Sequence, residues 1–341
     1  MDFGFDKEQR DYQDAVRDAL DRSVTVSSLR EVWSEGHDYS GAHGVALSKV
    51  DLWGLLVAVN SGGSGADVLD LALPLEECGR FAVAEPIVET SLLAPLLLQQ
   101  WRPGLPGADA LLAGIAAGEK IVAATMDGAT LVSDGARAEA LIVIEHNEVH
   151  CLFAGQFVAH PVAGIDPSRR LARCTYMLDK TTLVTDSPEL VALARATAMA
   201  GTATLAVGVA DQMCVMTRDY LLQRVQFGRV IGSFQALKHR LADVAVAIEA
   251  ARSLAWNALY RVSKSDPETE LAAEAAKSAA SEALILAGAA ALQLHGGIGF
   301  TWEHHLHFWL QRGKSLELAF GSAHDHRRAI GSRLLEESSA A

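Results

Sequence analysis

The sequence is poor in basic residues. Against 42 Asp and Glu it has 29 Lys and Arg, which gives a formal net charge of −13 at neutral pH. Nucleic acids and anionic membrane surfaces bind proteins through clustered lysines and arginines. The acidic balance therefore argues against a nucleic-acid partner and against attachment to an anionic membrane.

Cysteines are also scarce, and their spacing fits neither a disulfide framework nor a metal site. The four cysteines lie 73, 23 and 40 residues apart, at Cys78, Cys151, Cys174 and Cys214. There is no Cys-x-x-Cys and no Cys/His ligand spacing, so free thiols in a reducing compartment are expected. The N-terminal segment lacks the charged-then-apolar pattern of a signal peptide. These features predict a cytoplasmic protein.

No uninterrupted apolar run approaches the ~18 residues of a membrane-spanning helix. The longest runs, around Leu92–Leu98 and Ala283–Leu294, are broken by proline or rich in alanine and indicate buried helices. No membrane span is therefore expected. A chain of 341 residues, with 50% apolar and 21% charged residues, is instead expected to form two or three packed globular units.

The order of sequence patterns along the chain predicts three domains. Residues 1–118 have apolar positions at helical spacing and predict an N-terminal helical domain. Residues 119–186 contain short runs of β-branched residues separated by turn dipeptides, which indicates a small antiparallel β domain. Residues 187–341 begin with a Ser-Pro-Glu helix-start signal and predict a C-terminal bundle of long helices. The predicted fold class is mainly α with a small β domain.

The stretch from 221 to 241 joins two predicted bundle helices. Its short turn contains two glycines, the cation Arg224, the aromatic Phe227 and, just beyond, the amide Gln235. Taken singly, Phe227 would be a core residue and Arg224 a solvated cation at a helix C-terminus. Taken together, these groups could instead bind a flat, anionic ligand.

Three motifs resemble those of the acyl-CoA dehydrogenase family. Residues 224–228 (Arg-Val-Gln-Phe-Gly) followed by Phe234-Gln235 resemble the first family signature. Residues 293–300 (Gln-Leu-His-Gly-Gly-Ile-Gly-Phe) are similar to the second, and the Gly-Gly-Ser-Gly at 62–65 is similar to an N-terminal one. The motifs occur in the family's order and spacing, and they cover the first and third predicted domains.

The resemblance implies the acyl-CoA dehydrogenase-like fold, with a reduced middle β domain and a C-terminal four-helix bundle. It also implies FAD bound across a subunit interface. Arg224 would pair with the pyrophosphate, Phe227 would pack on the adenine, and Ser322 takes the place of a Thr that contacts the subunit's own flavin. The implied cofactor-binding residues are Arg224, Gln226, Phe227, Gln235, Gln293, Gly296, Gly297 and Ser322. A pair such as Gly296-Gly297 by itself would be an ordinary helix stop.

Two departures from the family concern its chemistry. Family members abstract a proton α to the thioester with a Glu while the flavin takes a hydride. The two family positions for that Glu fall on Phe320 and about Ala198, so no catalytic residue is predicted. The remaining candidates for the base are Glu189 and Glu317. The alternative is that these two carboxylates simply lie on a solvated helix face. The family's T-E-P-x-x-G-S-D segment, which meets the flavin and substrate, is largely absent at 124–131.

These features lead to the hypothesis of a subunit in a heteromeric, FAD-dependent acyl-CoA dehydrogenase. The chain resembles the short, base-less subunit of actinobacterial heterotetrameric enzymes of steroid side-chain breakdown. The resemblance implies an α2β2 assembly with a longer related subunit, which holds most of the acyl-CoA, and desaturation of a steroid side-chain thioester. Two alternatives stay open: an active homotetramer with a displaced catalytic carboxylate, and a flavin-free structural pseudoenzyme.

Histidines cluster near the C-terminus and invite a metal interpretation. They are His304, His305, His307, His324 and His326. Glu303 and His307 share one helical face, but the sequence offers no second ligand-spaced pair. Satisfied or surface histidines are therefore expected, and no metal site is predicted.

Overall fold

The structure is a computed structural model that describes residues 4–35, 41–101 and 104–340. Its N-terminal part is helical, with α1 (Lys7–Ser23), α2 (Val26–Glu35), α3 (Ala42–Ser48), α4 (Ala72–Arg80) and α5 (Ala108–Ala116). Between α4 and α5, Val88–Leu93 and Leu96–Trp101 form wider π-helical turns. Such turns are rare and occur often at functional sites. Asp6 and Gln9 form a reciprocal capping box that starts α1.

The β part consists of two small sheets. The strands are β1 (Val122–Met126), β2 (Leu131–Val132), β3 (Ala140–Glu145), β4 (Glu148–Phe153), β5 (Phe157–Pro161), β6 (Ala172–Tyr176) and β7 (Leu183–Thr185). One sheet has the order β1-β3-β4-β7 and the other the order β2-β6-β5. The expectation of a purely antiparallel unit is wrong, because β1 pairs with β3 in parallel. The chain between these strands crosses into the second sheet through β2, so β3 returns in the same direction as β1.

The C-terminal part is a bundle of long helices. It contains α6 (Pro188–Gln223), α7 (Gln235–Lys264), α8 (Thr269–His295), α9 (Leu306–Leu318) and α10 (Ala323–Ala340). A short antiparallel hairpin, β8 (Val225–Gln226) and β9 (Arg229–Val230), connects α6 to α7. The predicted class, mainly α with a small β portion and a C-terminal helical domain, is confirmed.

The N-terminal helices and the bundle share one hydrophobic core. Helices α4 and α6 touch where glycines face each other: a Cβ on Gly208 would lie 2.0 Å from the Glu76 carbonyl oxygen, and one on Gly79 would lie 2.1 Å from that of Leu205. One buried cluster runs through these helices into α7, α8 and α9, and two smaller ones lie against or between the sheets. The division of the chain at 118 and 186 stays a prediction.

Two bundle helices are long and apolar enough to cross a membrane by length and composition. They are Pro188–Gln223 and the helical segment Thr269–Phe300, whose most apolar windows are 83% and 50% buried inside the protein. Core helices of a bundle pass the same test. The expectation that no segment spans a membrane stays a prediction.

Candidate functional site

The corner between α6 and α7 is a tight hairpin whose turn is formed by Phe227 and Gly228. Val225 pairs with Val230 and Gln226 with Arg229, which leaves two residues for the turn. Both turn residues have positive φ, +54° at Phe227 and +73° at Gly228. This is the geometry of the two-residue hairpin turn that matches strand twist, and it favours Asn or Gly over a bulky side chain.

Phe227 is therefore held in a strained conformation and is also exposed. Its relative accessibility is 90%, the opposite of a core phenylalanine. Its ring contacts Phe234 edge to face at 6.1 Å, and the Arg229 guanidinium lies 4.0 Å above the Phe234 ring. A non-glycine residue at positive φ costs about 1–3 kcal/mol and is typical of functional sites. An exposed ring kept at this cost is suited to packing on something outside the chain.

The polar residues of the first signature are also exposed. Arg224 follows the last residue of α6 and forms no ion pair with the residues that the structure describes. Gln235 is the first residue of α7 and is exposed. The Gln226 side chain donates to the Val225 carbonyl at 2.8 Å. A free guanidinium, an aromatic ring and an amide thus lie within one short exposed segment.

The second signature continues this surface at the end of α8. Gln293 is exposed in the last turn of the helix, and Gly296 has φ +64°. A Cβ built on Gly296 or Gly297 would meet no atom within 4 Å among the described residues. These two glycines therefore leave open space above their backbone rather than permitting a close internal contact. That space and the bare backbone are compatible with a ligand lying against the segment.

Ser322 has a structural role in this chain. Its Oγ donates to Oδ2 of Asp325 at 2.7 Å, and its backbone N–H donates to the same oxygen at 3.1 Å. Ser322 thus caps the start of α10, and the hydrogen bonds lower the pKa of Asp325. Its implied contact with a flavin stays a prediction.

A second feature is a cavity of about 540 Å³ between the β part and the bundle. It is lined by Ala124–Asp127 of β1 and the following turn, by Arg195 and Met199 of α6, and by residues of α8, α10 and the 318–321 turn. On the wall of the cavity, the carboxylate of Asp127 accepts two hydrogen bonds from the guanidinium of Arg195, at 2.9 and 2.5 Å. Its size is typical of a site for a small molecule.

Neither family position for the catalytic Glu carries a proton acceptor. Phe320 lines the cavity with φ +54°, and Gly321 follows with φ +102°. Ala198 is fully buried within α6 and does not line the cavity, although its neighbour Met199 does. The strained turn at 320–321 is therefore present with a phenyl ring in place of a carboxylate.

The two remaining candidate carboxylates lie elsewhere. Glu189 is exposed in the first turn of α6, where a hydrogen bond from Ser187 lowers its pKa. Glu317 accepts from Lys314 at 2.7 Å and lines a separate groove on another side of α9. Neither lines the 540 Å³ cavity. Whether the chain lacks a catalytic base stays a prediction.

The cavity contains charged residues that the sequence analysis missed. Burial raises the pKa of Glu89 to about 7, and Glu89 lies in the first π-helical turn. Burial likewise raises the pKa of Glu274 to about 7 on the α8 wall. Arg169 reaches the cavity from the loop before β6. The signal for Glu89 was present, because it is the lone acid in the apolar stretch from 86 to 98.

A buried lysine fixes the turn that carries Phe320. Lys277 of α8 is fully buried, and its Nζ donates to the carbonyl oxygens of Glu317 and Gly321 at 2.9 and 3.0 Å and to Oγ of Ser281 at 3.0 Å. Burial lowers the pKa of Lys277 to about 7. A lysine at this depth is tolerated only because its donors are satisfied.

The clustered histidines pack on one another and on neighbouring rings. His304 lies edge to face with His295 at 4.6 Å, and His307 lies edge to face with Trp302 at 4.4 Å. Burial lowers the pKa of His304 to about 4, which favours its neutral form. Within the part of the chain that the structure describes, no group of three or more His, Cys, Asp or Glu could hold a metal ion. The expectation of no metal site stays a prediction.

Comparison with known proteins relates this chain to one family. A sequence model described as acyl-CoA dehydrogenase, C-terminal domain, matches residues 193–335. The chain is 35% identical over 282 residues to acyl-CoA dehydrogenase IpdE2 of Mycobacterium tuberculosis, covering 83% of each protein. It is 29% identical to FadE34 of the same organism, covering 79% of this chain but 39% of that longer protein.

Solved structures share the fold. A chain of the ChsE4-ChsE5 complex from Mycobacterium tuberculosis superposes with a TM-score of 0.88 at 22% identity, covering 98% of this chain and 99% of that one. Butyryl-CoA dehydrogenase from Megasphaera elsdenii superposes with a TM-score of 0.83 at 21% identity, covering 98% and 100%. Together with the sequence relatives, these findings show that the chain belongs to the acyl-CoA dehydrogenase family.

Proposed function

We propose that this chain is a subunit of a heteromeric FAD-dependent acyl-CoA dehydrogenase and supplies the ADP half of the cofactor site to a related catalytic partner. The observation that carries the proposal is the exposure of Arg224, Phe227 and Gln235 on one short segment. A planar guanidinium pairs well with a pyrophosphate, and an aromatic ring stacks on a purine. When bound, FAD would supply the hydride acceptor for desaturation.

The distance along α6 supports a site shared between chains. Met199 lines the chain's own cavity, and Arg224 lies 25 residues later at the end of the same helix. At 1.5 Å per residue this separation is roughly 38 Å, longer than an extended dinucleotide cofactor. An ADP moiety at Arg224 would therefore belong to a flavin housed in another chain.

Exposed apolar side chains around both signatures support a partner surface. Phe300 and Trp302 after the second signature are 75% and 69% exposed, and Leu222 before the first is 61% exposed. Large apolar side chains that are exposed in this way are typical of interaction surfaces. In an assembled enzyme this surface would lie against the partner that holds the flavin.

The nature of the partner and substrate is proposed from the named relatives. One structural neighbour is a two-component complex, and another, at a TM-score of 0.85 and 24% identity, is described as a steroid acyl-CoA dehydrogenase of two named components. We therefore propose an α2β2 heterotetramer in the cytoplasm, with a longer partner that binds most of the acyl-CoA and a steroid side-chain thioester as substrate. A two-plus-two arrangement keeps dyad symmetry.

Co-expression with a longer, related acyl-CoA dehydrogenase chain from the same genome tests the proposal. The chain alone should be colourless, and the copurified complex should be yellow and should desaturate an acyl-CoA. Arg224→Ala in this chain should lower the flavin content of the complex. Arg218→Ala, an exposed arginine further back on α6, is the matched control and should leave it unchanged.

The two other functions predict different results. A yellow, active protein from this chain alone would support a homotetramer with a displaced carboxylate and would overturn the shared-subunit proposal. A complex that never gains flavin would support a structural pseudoenzyme. Loss of turnover on changing Glu189 or Glu317 would also favour the first alternative, whereas Phe320→Ala should leave turnover of the complex intact.

A further inference from the structure

The inner end of the 540 Å³ cavity is charged. Behind it lies a recess of about 30 Å³ whose walls overlap those of the cavity. The residues shared by the two walls are Glu89, Ser133, Arg169, Ala319 and Phe320. Arg312 of α9 lines the recess as well. A plain hydrocarbon group at this end would meet two guanidinium groups, which is an unfavourable environment for it.

Arg169 is held in place by a neutral hydroxyl group. Its Nε donates to Oγ of Ser133 at 2.8 Å, which leaves the remaining N–H groups of the fork available. Neither Arg169 nor Arg312 forms an ion pair with a residue in the described ranges. Burial lowers the pKa of Arg169 and the charge of Arg312 adds to the effect, whereas the charges of Asp166, Glu89 and Asp134 oppose it. The two cations therefore lie close enough to repel each other.

The acids nearby are engaged by other groups. One oxygen of Asp166 accepts from the N–H and Oγ of Ser168, at 3.0 and 2.5 Å, and the other accepts from Oγ of Ser315 at 2.5 Å. Asp134 accepts from Arg170 at 2.6 Å and from Arg137 at 3.0 Å.

Glu85 also lines the recess, and its Oε2 accepts from Arg137 and Arg170 at 3.3 and 3.5 Å. The remaining acid at this end is Glu89. With its pKa raised to about 7 by burial, it is only partly charged at neutral pH. The two arginines that line the recess, Arg169 and Arg312, are thus left without a direct ion-pair partner among the described residues.

We propose that the inner end of the cavity is an anion subsite, in which Arg169, backed by Arg312, binds the terminal carboxylate of an organic acid lying along the cavity. The planar guanidinium group of Arg169 can bind a carboxylate through two parallel hydrogen bonds. The protonated form of Glu89 adds a hydrogen-bond donor. The carboxylate could belong to an acyl thioester or to a free dicarboxylate, and the subsite is independent of the FAD site at the hairpin.

Titration calorimetry on the full-length chain in its purified assembly tests this subsite. Adipoyl-CoA and hexanoyl-CoA have acyl chains of the same length. The chain of adipoyl-CoA ends in a carboxylate, and that of hexanoyl-CoA ends in a methyl group. Adipoyl-CoA should bind at least about tenfold more tightly, the value of one charge-assisted pair. Free adipate is the third probe, and tight binding of adipate without CoA would identify a free dicarboxylate as the ligand.

Variants of this chain separate the subsite from acyl-CoA binding in a partner. Arg169→Gln should remove the preference for the carboxylate probes. Arg169→Lys keeps the charge but loses the fork, and it should retain part of the preference if the glutamine variant fails to fold. Arg173→Gln is the control, because Arg173 is an exposed arginine on β6 outside the cavity. Equal affinity for adipoyl-CoA and hexanoyl-CoA together with no binding of free adipate would overturn the proposal. So would a preference for the carboxylate probes that survives Arg169→Gln.

Discussion

The ring of Tyr220 stacks on the imidazole of His295 at 4.6 Å, with an angle of 26° between the planes. Tyr220 lies in the last turn of α6, just before the hairpin, and His295 is the last residue of α8, just before Gly296. His295 is fixed in turn, because its Nδ1–H donates to the Ala291 carbonyl at 2.8 Å. The stack therefore sets the position of one signature relative to the other.

Tyr220→Ala should uncouple the two signatures. We expect the complex with the partner subunit to lose flavin more readily, together with a loss of stability of about 1–3 kcal/mol from the missing ring contacts. Flavin retained after gel filtration and the urea midpoint are the measurements. Tyr220→Phe keeps the ring stack and is the control, since the hydroxyl makes no hydrogen bond to the described residues. Full flavin retention in the alanine variant would show that the stack is not needed.

Phe227→Asn should raise stability while weakening flavin retention. The change produces Asn-Gly, the preferred pair for a two-residue turn with positive φ at both positions, and the lost side chain buries almost nothing. The expected gain is about 1 kcal/mol from relieved strain. Denaturant unfolding measures the gain, and the flavin absorbance of the complex measures the loss. A variant that is more stable and equally yellow would mean that the exposed ring has no part in cofactor binding.

The local patterns of the sequence predicted the helices and the order of the three parts, because capping residues, glycine stops and apolar spacing act over a few residues. The pairing of β1 with β3 was missed because strand direction depends on where the intervening chain crosses, and no local pattern records that. The motif at 224–228 was identified, yet its hairpin was read as a plain turn, since a Phe at positive φ is not expected in such a turn.

The candidate cavity was the least predictable part of the molecule. Glu89 and Arg169 are far apart in sequence and meet only because the π-helical turn and the loop before β6 pack against the same end of α9. Lys277 looks like a surface cation in an alanine-rich helix, and its burial depends on the carbonyl groups of the turn at 317–321. Long-range packing of this kind determines which polar residues become functional candidates.

Lys277→Met should change the pH dependence of stability, because the buried amine stabilises the turn that contains Phe320. The folded state keeps the pKa of Lys277 near 7 while the unfolded value is 10.5, so the native state binds fewer protons between these values. The stability that Lys277 contributes therefore rises with pH through that window and is smallest below pH 7. Glu317 opposes the shift, and His326, whose pKa is lowered, faces the amine from α10.

The methionine variant should accordingly lose more stability at pH 9 than at pH 7, by roughly 2–3 kcal/mol. Chemical unfolding of both proteins at matched concentration gives the difference. Lys314→Met, at an exposed position on α9, is the control for removing a lysine. A stability difference that does not change between the two pH values would contradict the role assigned to the buried amine.

Glu89→Gln should change the pH dependence of stability in the opposite direction. Burial raises the pKa of Glu89 from 4.5 to about 7, with Asp134 adding to the rise and Arg312 and Arg169 opposing it. Between these values the native state binds more protons than the unfolded state, so wild-type stability falls as the pH rises through the window. Because glutamine cannot ionise, the variant should not show this fall in stability.

Between pH 5 and pH 8, the free energy of unfolding of the glutamine variant should therefore rise relative to that of the wild type by roughly 2–3 kcal/mol. Denaturant unfolding at the two pH values measures the gain, and Glu119→Gln, at an exposed carboxyl outside the cavity, should show no comparable change. Because Glu274 titrates in both proteins, its contribution cancels in the comparison. If the difference in the free energy of unfolding between variant and wild type stays the same from pH 5 to pH 8, Glu89 is ionised in the folded protein. The inner end of the cavity would then hold a carboxylate of its own beside Arg169, and the preference for a bound carboxylate should be correspondingly weak.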